Sequence, residues 1–116
     1  MPSTIYTLTV DCQDHERVAA FWQDALQYEQ TFVDREEIAI EPPEDGSGPA
    51  ILFLRVPDAK VVKNRWHLDL NPHDQASEVA RLKSLGAREV DIGQKDVSWV
   101  VMADPEENEF CVLTPR

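Results

Sequence analysis

The sequence has few basic residues, few cysteines and no long apolar run. Each shortage excludes a class of function. Lysine and arginine together number 11 against 22 acidic residues, a formal net charge of −11. A chain so charged is repelled by phosphate backbones, so nucleic-acid binding is not expected, and a cationic or neutral small ligand suits it better. No apolar stretch approaches the roughly 20 residues that cross a bilayer, so no membrane role is expected. The opening MPSTIYTLTV has no basic segment and no small-residue cleavage site, which predicts no secretory signal. The two cysteines, Cys12 and Cys111, could form one bridge at most, and they have no CxxC or zinc-finger spacing. They are expected to be reduced thiols in a cytoplasmic protein. At 116 residues, with 42% hydrophobic and 28% charged composition, the chain has the make-up of one folded domain.

The sequence does contain a repeat. LTVDCQD (8–14) alternates apolar and polar residues as a half-buried strand does. A helical pattern follows, with Asp14 as N-cap and Val18, Phe21, Trp22 and Ala25 on one face. Sixty positions on, HLDLNPHD (67–74) alternates again. Asp74 then precedes a helical stretch carrying Ala76, Val79, Leu82 and Leu85, and Gly86 is placed to end it. Thr7 and His67 thus hold equivalent places. Strands are expected at 31–33, 37–40 and 50–56 in the first copy, and at 88–92, 98–102 and 109–113 in the second. The segment EPPEDGSGP (41–49) reads as a loop and DPEEN (104–108) as a tight turn. Each copy is therefore β-α-β-β-β, with modules 1–58 and 64–116 in a single domain and a join near Asp58–Asn64. Neither copy is large enough to bury a good core alone.

Asp14 followed by Phe21–Trp22, His67 at the start of the fifth strand, and the turn Asp104–Pro105–Glu106–Glu107–Asn108 before NEFCVL give the chain its resemblance. It resembles the vicinal oxygen chelate superfamily: glyoxalase I, bleomycin-resistance proteins, extradiol dioxygenases and fosfomycin-resistance enzymes, and within it the small glyoxalase-like domain proteins. The resemblance spans nearly the whole chain. It implies an α+β fold of two βαβββ modules forming a curled mixed sheet, a ligand or metal inside the curl, and a homodimer.

Enzymes of the superfamily hold a divalent metal with His and Glu side chains, whose open positions polarise a chelating substrate. Carried onto this chain, the first-strand position is Thr7, a poor ligand, and the fifth-strand position is His67, which matches. The last-strand glutamate falls on Cys111 when counted from Asp104–Pro105. Its first-copy equivalent, counted back from Pro57, falls on Phe53. One usual ligand of four remains, plus a thiol, so no metal and no cofactor are expected. A His67–Asp69–Glu109–Cys111 cluster could still gather on one sheet face, where a His/Cys pair suits zinc.

Alternation divides the strands between helix side and open side. Leu8 and Val10 are expected on the first helix, and Leu68 and Leu70 on the second. Ile5, Thr7, Thr9, Ile51, Phe53, Arg55, His67, Asp69, Glu109, Cys111 and Leu113 are left for the open face. Of these, His67, Asp69, Thr7, Phe53, Arg55, Glu109 and Cys111 are the candidate ligand-binding residues, and no catalytic residue is singled out. Trp22 reads as core. The side taken by Trp66 and Trp99 depends on register. His15 and His73 are expected to be solvent-exposed. The turn of the family usually reads Asp-Pro-x-Gly-Asn, and here Glu107 takes the glycine position, at a cost of about 1–2 kcal/mol if that position needs positive φ.

These residues suggest a small-molecule-binding glyoxalase-like protein, or a minimal enzyme, without the usual metal site. The alternatives are a metal-dependent lyase, isomerase or dioxygenase of the superfamily type, a bleomycin-resistance-type drug-binding protein, and an accessory domain that assembles with a partner.

Overall fold

The computed structural model describes residues 2–116. The elements run β1 (Leu8–Cys12), α1 (His15–Leu26), β2 (Glu29–Val33), β3 (Glu37–Glu41), β4 (Ile51–Arg55), β5 (Asp69–Leu70), α2 (Gln75–Leu85), β6 (Arg88–Glu89), β7 (Val100–Ala103) and β8 (Glu109–Val112). The order is the expected β-α-β-β-β, twice. The chain divides into two compact units between Ala59 and Lys60.

In the first unit the sheet order is β1-β4-β3-β2. β1 runs parallel to β4, and the other pairs are antiparallel. Helix α1 starts where Asp14 caps it, its carboxylate accepting from the Arg17 amide at 3.1 Å. The helix ends at Gln27, which turns left-handed with φ 58°. Val18, Ala19, Phe21, Trp22 and Ala25 form its buried stripe, and Phe21 and Trp22 meet edge to face with centroids 5.0 Å apart. The helix packs on β3 and β4, where Ile38, Ile40, Ile51 and Phe53 are all buried.

Here one expectation is corrected. Val10 pairs with Phe53 and Leu8 with Ile51, so Ile51 and Phe53 share the helix face with Leu8 and Val10. Phe53, at 0% exposure, belongs to the core and does not line an open surface. Arg55 has the same parity and sits exposed at the strand end, paired with buried Cys12. Counting back from the prolines was one residue out. Side chains alternate with period two, so a single step exchanges the faces. A second correction concerns His15. It is buried at 6% exposure, with its Nε2 bonded to the Asp34 carbonyl at 3.1 Å.

In the second unit the order is β5-β8-β7-β6, again with one parallel pair, β5 with β8. Asp74 caps α2 through the Ser77 amide and hydroxyl, and Gly86 at φ 120° closes it. The stripe of α2 is thinner than the sequence suggests: only Leu82 is fully buried, and Ala76 is exposed. The helix packs on β8, and Gln75 Nε2 fastens its first turn to the Ser98 and Val112 carbonyls. Met102, Phe110 and Val112 fill the space beneath.

Candidate functional site

The open face of the second unit follows from two registers. Asp69 pairs with Cys111 in the parallel ladder, and Val101 pairs with Cys111 on the other side. Paired residues point to one face, so Asp69 and Cys111 stand side by side, opposite the face that carries Leu70 and Val112. β5 is shorter than expected and begins at Asp69 rather than His67. Even so, His67 lies two residues before Asp69 and joins the same face.

The side chains meet there. His67 Nδ1 donates to Asp69 Oδ1 at 2.9 Å. The Cys111 thiol also donates to the Asp69 carboxylate. Ligand atoms of His67, Asp69 and Cys111 all lie within 4.8 Å of one another. Cys111 is buried at 7% exposure, whereas the side chains of His67 and Asp69 are 37% and 49% exposed. Burial pushes the Cys111 thiol up, and the Asp69 carboxylate pushes it further, against a smaller opposing effect of Lys63. The thiol is therefore protonated near neutral pH. It is not poised as a nucleophile, which would need a positive environment.

Glu109 shares the face but not the cluster. Its carboxylate accepts from the Asn64 amide at 2.9 Å and pairs with Lys60 at 3.0 Å. Burial alone would raise its pKa, but the Asn64 amide and Lys60 outweigh that and hold it below its ordinary value. The four-residue cluster is thus reduced to three, because Glu109 is drawn to the segment that enters the unit.

Over this floor opens a cleft of about 800 Å³. Ile92, Trp99 and Leu113 give it an apolar wall, and Lys63 and Arg116 place cations at it. None of these except Leu113 was assigned a side by sequence reasoning. Lys63 comes from an irregular segment, whereas Ile92 and Trp99 lie in the stretches expected as strands at 88–92 and 98–102, which the structure shortens to β6 (Arg88–Glu89) and shifts to β7 (Val100–Ala103). The remaining candidates belong to the first unit. The Thr7 hydroxyl donates to the Ala50 carbonyl at 3.2 Å. Arg55 is exposed and its amide donates to the Glu36 carbonyl. Phe53 is core, as described above. Because Thr9 pairs with Leu52 as Asp69 pairs with Cys111, the first-unit equivalent of Cys111 is Leu52.

Comparison with known proteins agrees with this architecture. The sequence model of the glyoxalase-like domain matches residues 7–113. Among curated proteins no significant match was found. Among solved structures, the chain is similar to a genomically encoded fosfomycin resistance protein, FosX, from Listeria monocytogenes, complexed with Mn(II) and sulfate. That similarity has a TM-score of 0.76 at 16% identity and covers 100% of this chain and 93% of that one. It is similar to a glyoxalase-related enzyme from Fulvimarina pelagi, with a TM-score of 0.70 at 15% identity over 97% and 88% of the two chains. A bleomycin resistance determinant encoded on transposon Tn5 is similar too, with a TM-score of 0.63 at 16% identity over 98% and 99%. The fold is that of the glyoxalase and bleomycin-resistance proteins.

The family's usual metal set does not fit this chain. Its first-unit positions fall on Thr7 and Leu52, of which only Thr7 carries an oxygen. Its second-unit positions fall on His67 and the thiol of Cys111. Manganese and magnesium favour oxygen-rich, hard donors, and a thiol is the wrong partner for them.

Proposed function

The chain belongs to the glyoxalase-like domain family, and from that premise we propose that it binds a small organic molecule in the cleft of its second unit. One observation carries the reading: His67, Asp69 and Cys111 converge beneath an apolar wall of Ile92, Trp99 and Leu113. A few convergent polar groups within apolar surroundings are the usual make-up of small-molecule sites. The Asp69 carboxylate holds the His67 ring through Nδ1, which leaves Nε2 to meet a ligand oxygen or proton. The wall takes the apolar body of the ligand. In this reading the protein works as one domain of two modules, in the cytoplasm, without the usual metal set of its family. Its net charge of −11 keeps it from nucleic acid.

A homodimer is part of the same proposal. Tyr6 and Trp66 occupy equivalent places in the repeat, just ahead of β1 and β5, and are 92% and 89% exposed. Ile5 in the first unit and Val61 and Val62 in the second are also exposed. Large apolar residues next to sheet edges call for cover.

Native mass spectrometry of freshly purified protein tests the binding, with a co-purified small molecule as the expected result. His67→Ala is expected to lose that molecule while changing stability by no more than about 0.5 kcal/mol, since its side chain is partly exposed. Phe110→Ala, by contrast, is expected to cost about 3–5 kcal/mol. If His67→Ala destabilises as much as Phe110→Ala, His67 serves the fold and the proposal fails.

A further inference from the structure

The three donors on the open face of the second unit differ from the family's usual metal set in kind as well as in number. We propose that His67, Asp69 and Cys111 form a thiolate-containing zinc site whose fourth coordination position opens into the cleft. Asp69 is the residue that makes this more than a remnant. It occupies none of the family's ligand positions, yet the parallel register of β5 and β8 sets it directly beside Cys111, and it already bonds both His67 and Cys111.

The chemistry of the donors selects the ion. Imidazole nitrogen, carboxylate oxygen and thiolate sulfur are each ordinary zinc ligands, and a mixed N/O/S set suits zinc while the sulfur disfavours magnesium, calcium and manganese. Three protein ligands with a fourth position open is the pattern of zinc sites that receive an exchangeable ligand.

The geometry is close to what binding needs. Ligands held tetrahedrally at about 2.0–2.3 Å from one ion are about 3.3–3.8 Å apart. The donors here lie within 4.8 Å, so closing on an ion takes movements of about 1.5 Å or less. His67 and Asp69, partly exposed, are free to make them, and buried Cys111 supplies the fixed point. On binding, the sulfur–zinc bond forms as the thiol gives its proton to solvent. His67 coordinates through a deprotonated ring nitrogen, and Asp69 turns from accepting hydrogen bonds to donating an electron pair to the ion. Lys63 is the cation whose field reaches Cys111. It is exposed, with its ammonium donating to the Asn64 carbonyl, so it can remain turned toward the chain when an ion enters.

The site stands whether or not an organic ligand occupies the cleft, and its test uses no ligand. Cobalt(II) titrated into the full chain, kept reduced by a phosphine, is expected to bind one ion per chain. It should produce a thiolate-to-cobalt charge-transfer band in the near ultraviolet, and zinc should displace it. Cys111→Ser is expected to lose that band, Asp69→Asn and His67→Ala to weaken binding at least tenfold, and Cys12→Ser to keep the band. X-ray absorption of the unmutated protein loaded with zinc gives a second reading that depends on no variant: one sulfur at about 2.3 Å. No binding at micromolar metal, a band that survives Cys111→Ser, or a metal shell without sulfur would each overturn the proposal.

Discussion

At the scale of single residues, the turn before β8 shows a local cost carried in the open. Glu107 has φ 69°, a left-handed conformation that suits glycine. The turn is held nonetheless. The buried Asp104 carboxylate accepts from the amides of Glu106 and Asn108 and from the Asn108 side chain, and the Glu107 amide donates to the Asp104 carbonyl. These bonds over-determine the backbone, so the non-glycine residue is tolerated. The exposed ion pair of Glu107 with Arg88 offsets little of the strain. Glu107→Gly is therefore expected to stabilise the protein by about 1 kcal/mol, after allowing for the greater freedom of glycine in the unfolded chain. Urea denaturation measures it. An unchanged or lower midpoint would mean that the turn carries no strain. The departure from the Asp-Pro-x-Gly-Asn pattern was visible in the sequence, but the positive φ had to be seen.

At the scale of elements, the two helices are started by the same device and anchored unequally. α1 buries a stripe of five apolar residues, while α2 buries Leu82 alone, so α2 depends more on its ends. The Asp74 carboxyl is held below its ordinary range, first by the Ser77 hydroxyl and then by the Ser77 amide. A carboxyl whose pKa is lower folded than unfolded contributes stability above its unfolded value, and that contribution is lost as pH falls through the folded value. Asparagine caps about as well as aspartate but does not titrate. Asp74→Asn is thus expected to melt near the parent temperature at neutral pH and to lose less stability on acidification. Thermal melts of both proteins over the acid range check this, and parallel curves would show that the cap does not titrate with folding. Both caps were legible in the sequence, because Asp14 and Asp74 stand immediately before helical periodicity. The thinness of the α2 stripe was not, because Ala76 and Val79 have the right spacing whether or not anything lies against them.

At the scale of the whole molecule, the net charge of −11 works against self-association and the exposed Tyr6, Trp66, Val61 and Val62 work for it. Apolar burial is insensitive to screening, whereas like-charge repulsion weakens as salt rises. A homodimer is expected at micromolar concentration, tightening with added salt. Equilibrium sedimentation decides it, and a single species near the 13.2 kDa chain mass at every salt concentration would reject the dimer.

The sequence by itself determined the repeat, the order of the elements, both helix starts and the family. All of these rest on short-range periodicity, on capping chemistry and on motifs a few residues long. It also put His67 and Asp69 on one face, since they are two apart, and made Cys111 a candidate for that face; the register of β5 against β8 then set Cys111 beside Asp69. Only the tertiary structure decided which residues stand opposite one another across strands. The pairing of Val10 with Phe53 sent Phe53 to the core and gave Leu52 the place of Cys111, because a strand's own alternation leaves its register against a neighbour free by one step. Tertiary contacts also buried His15 against the Asp34 carbonyl and drew Glu109 to Lys60 and Asn64. Those partners are 19, 49 and 45 residues away along the chain, beyond the reach of any local pattern.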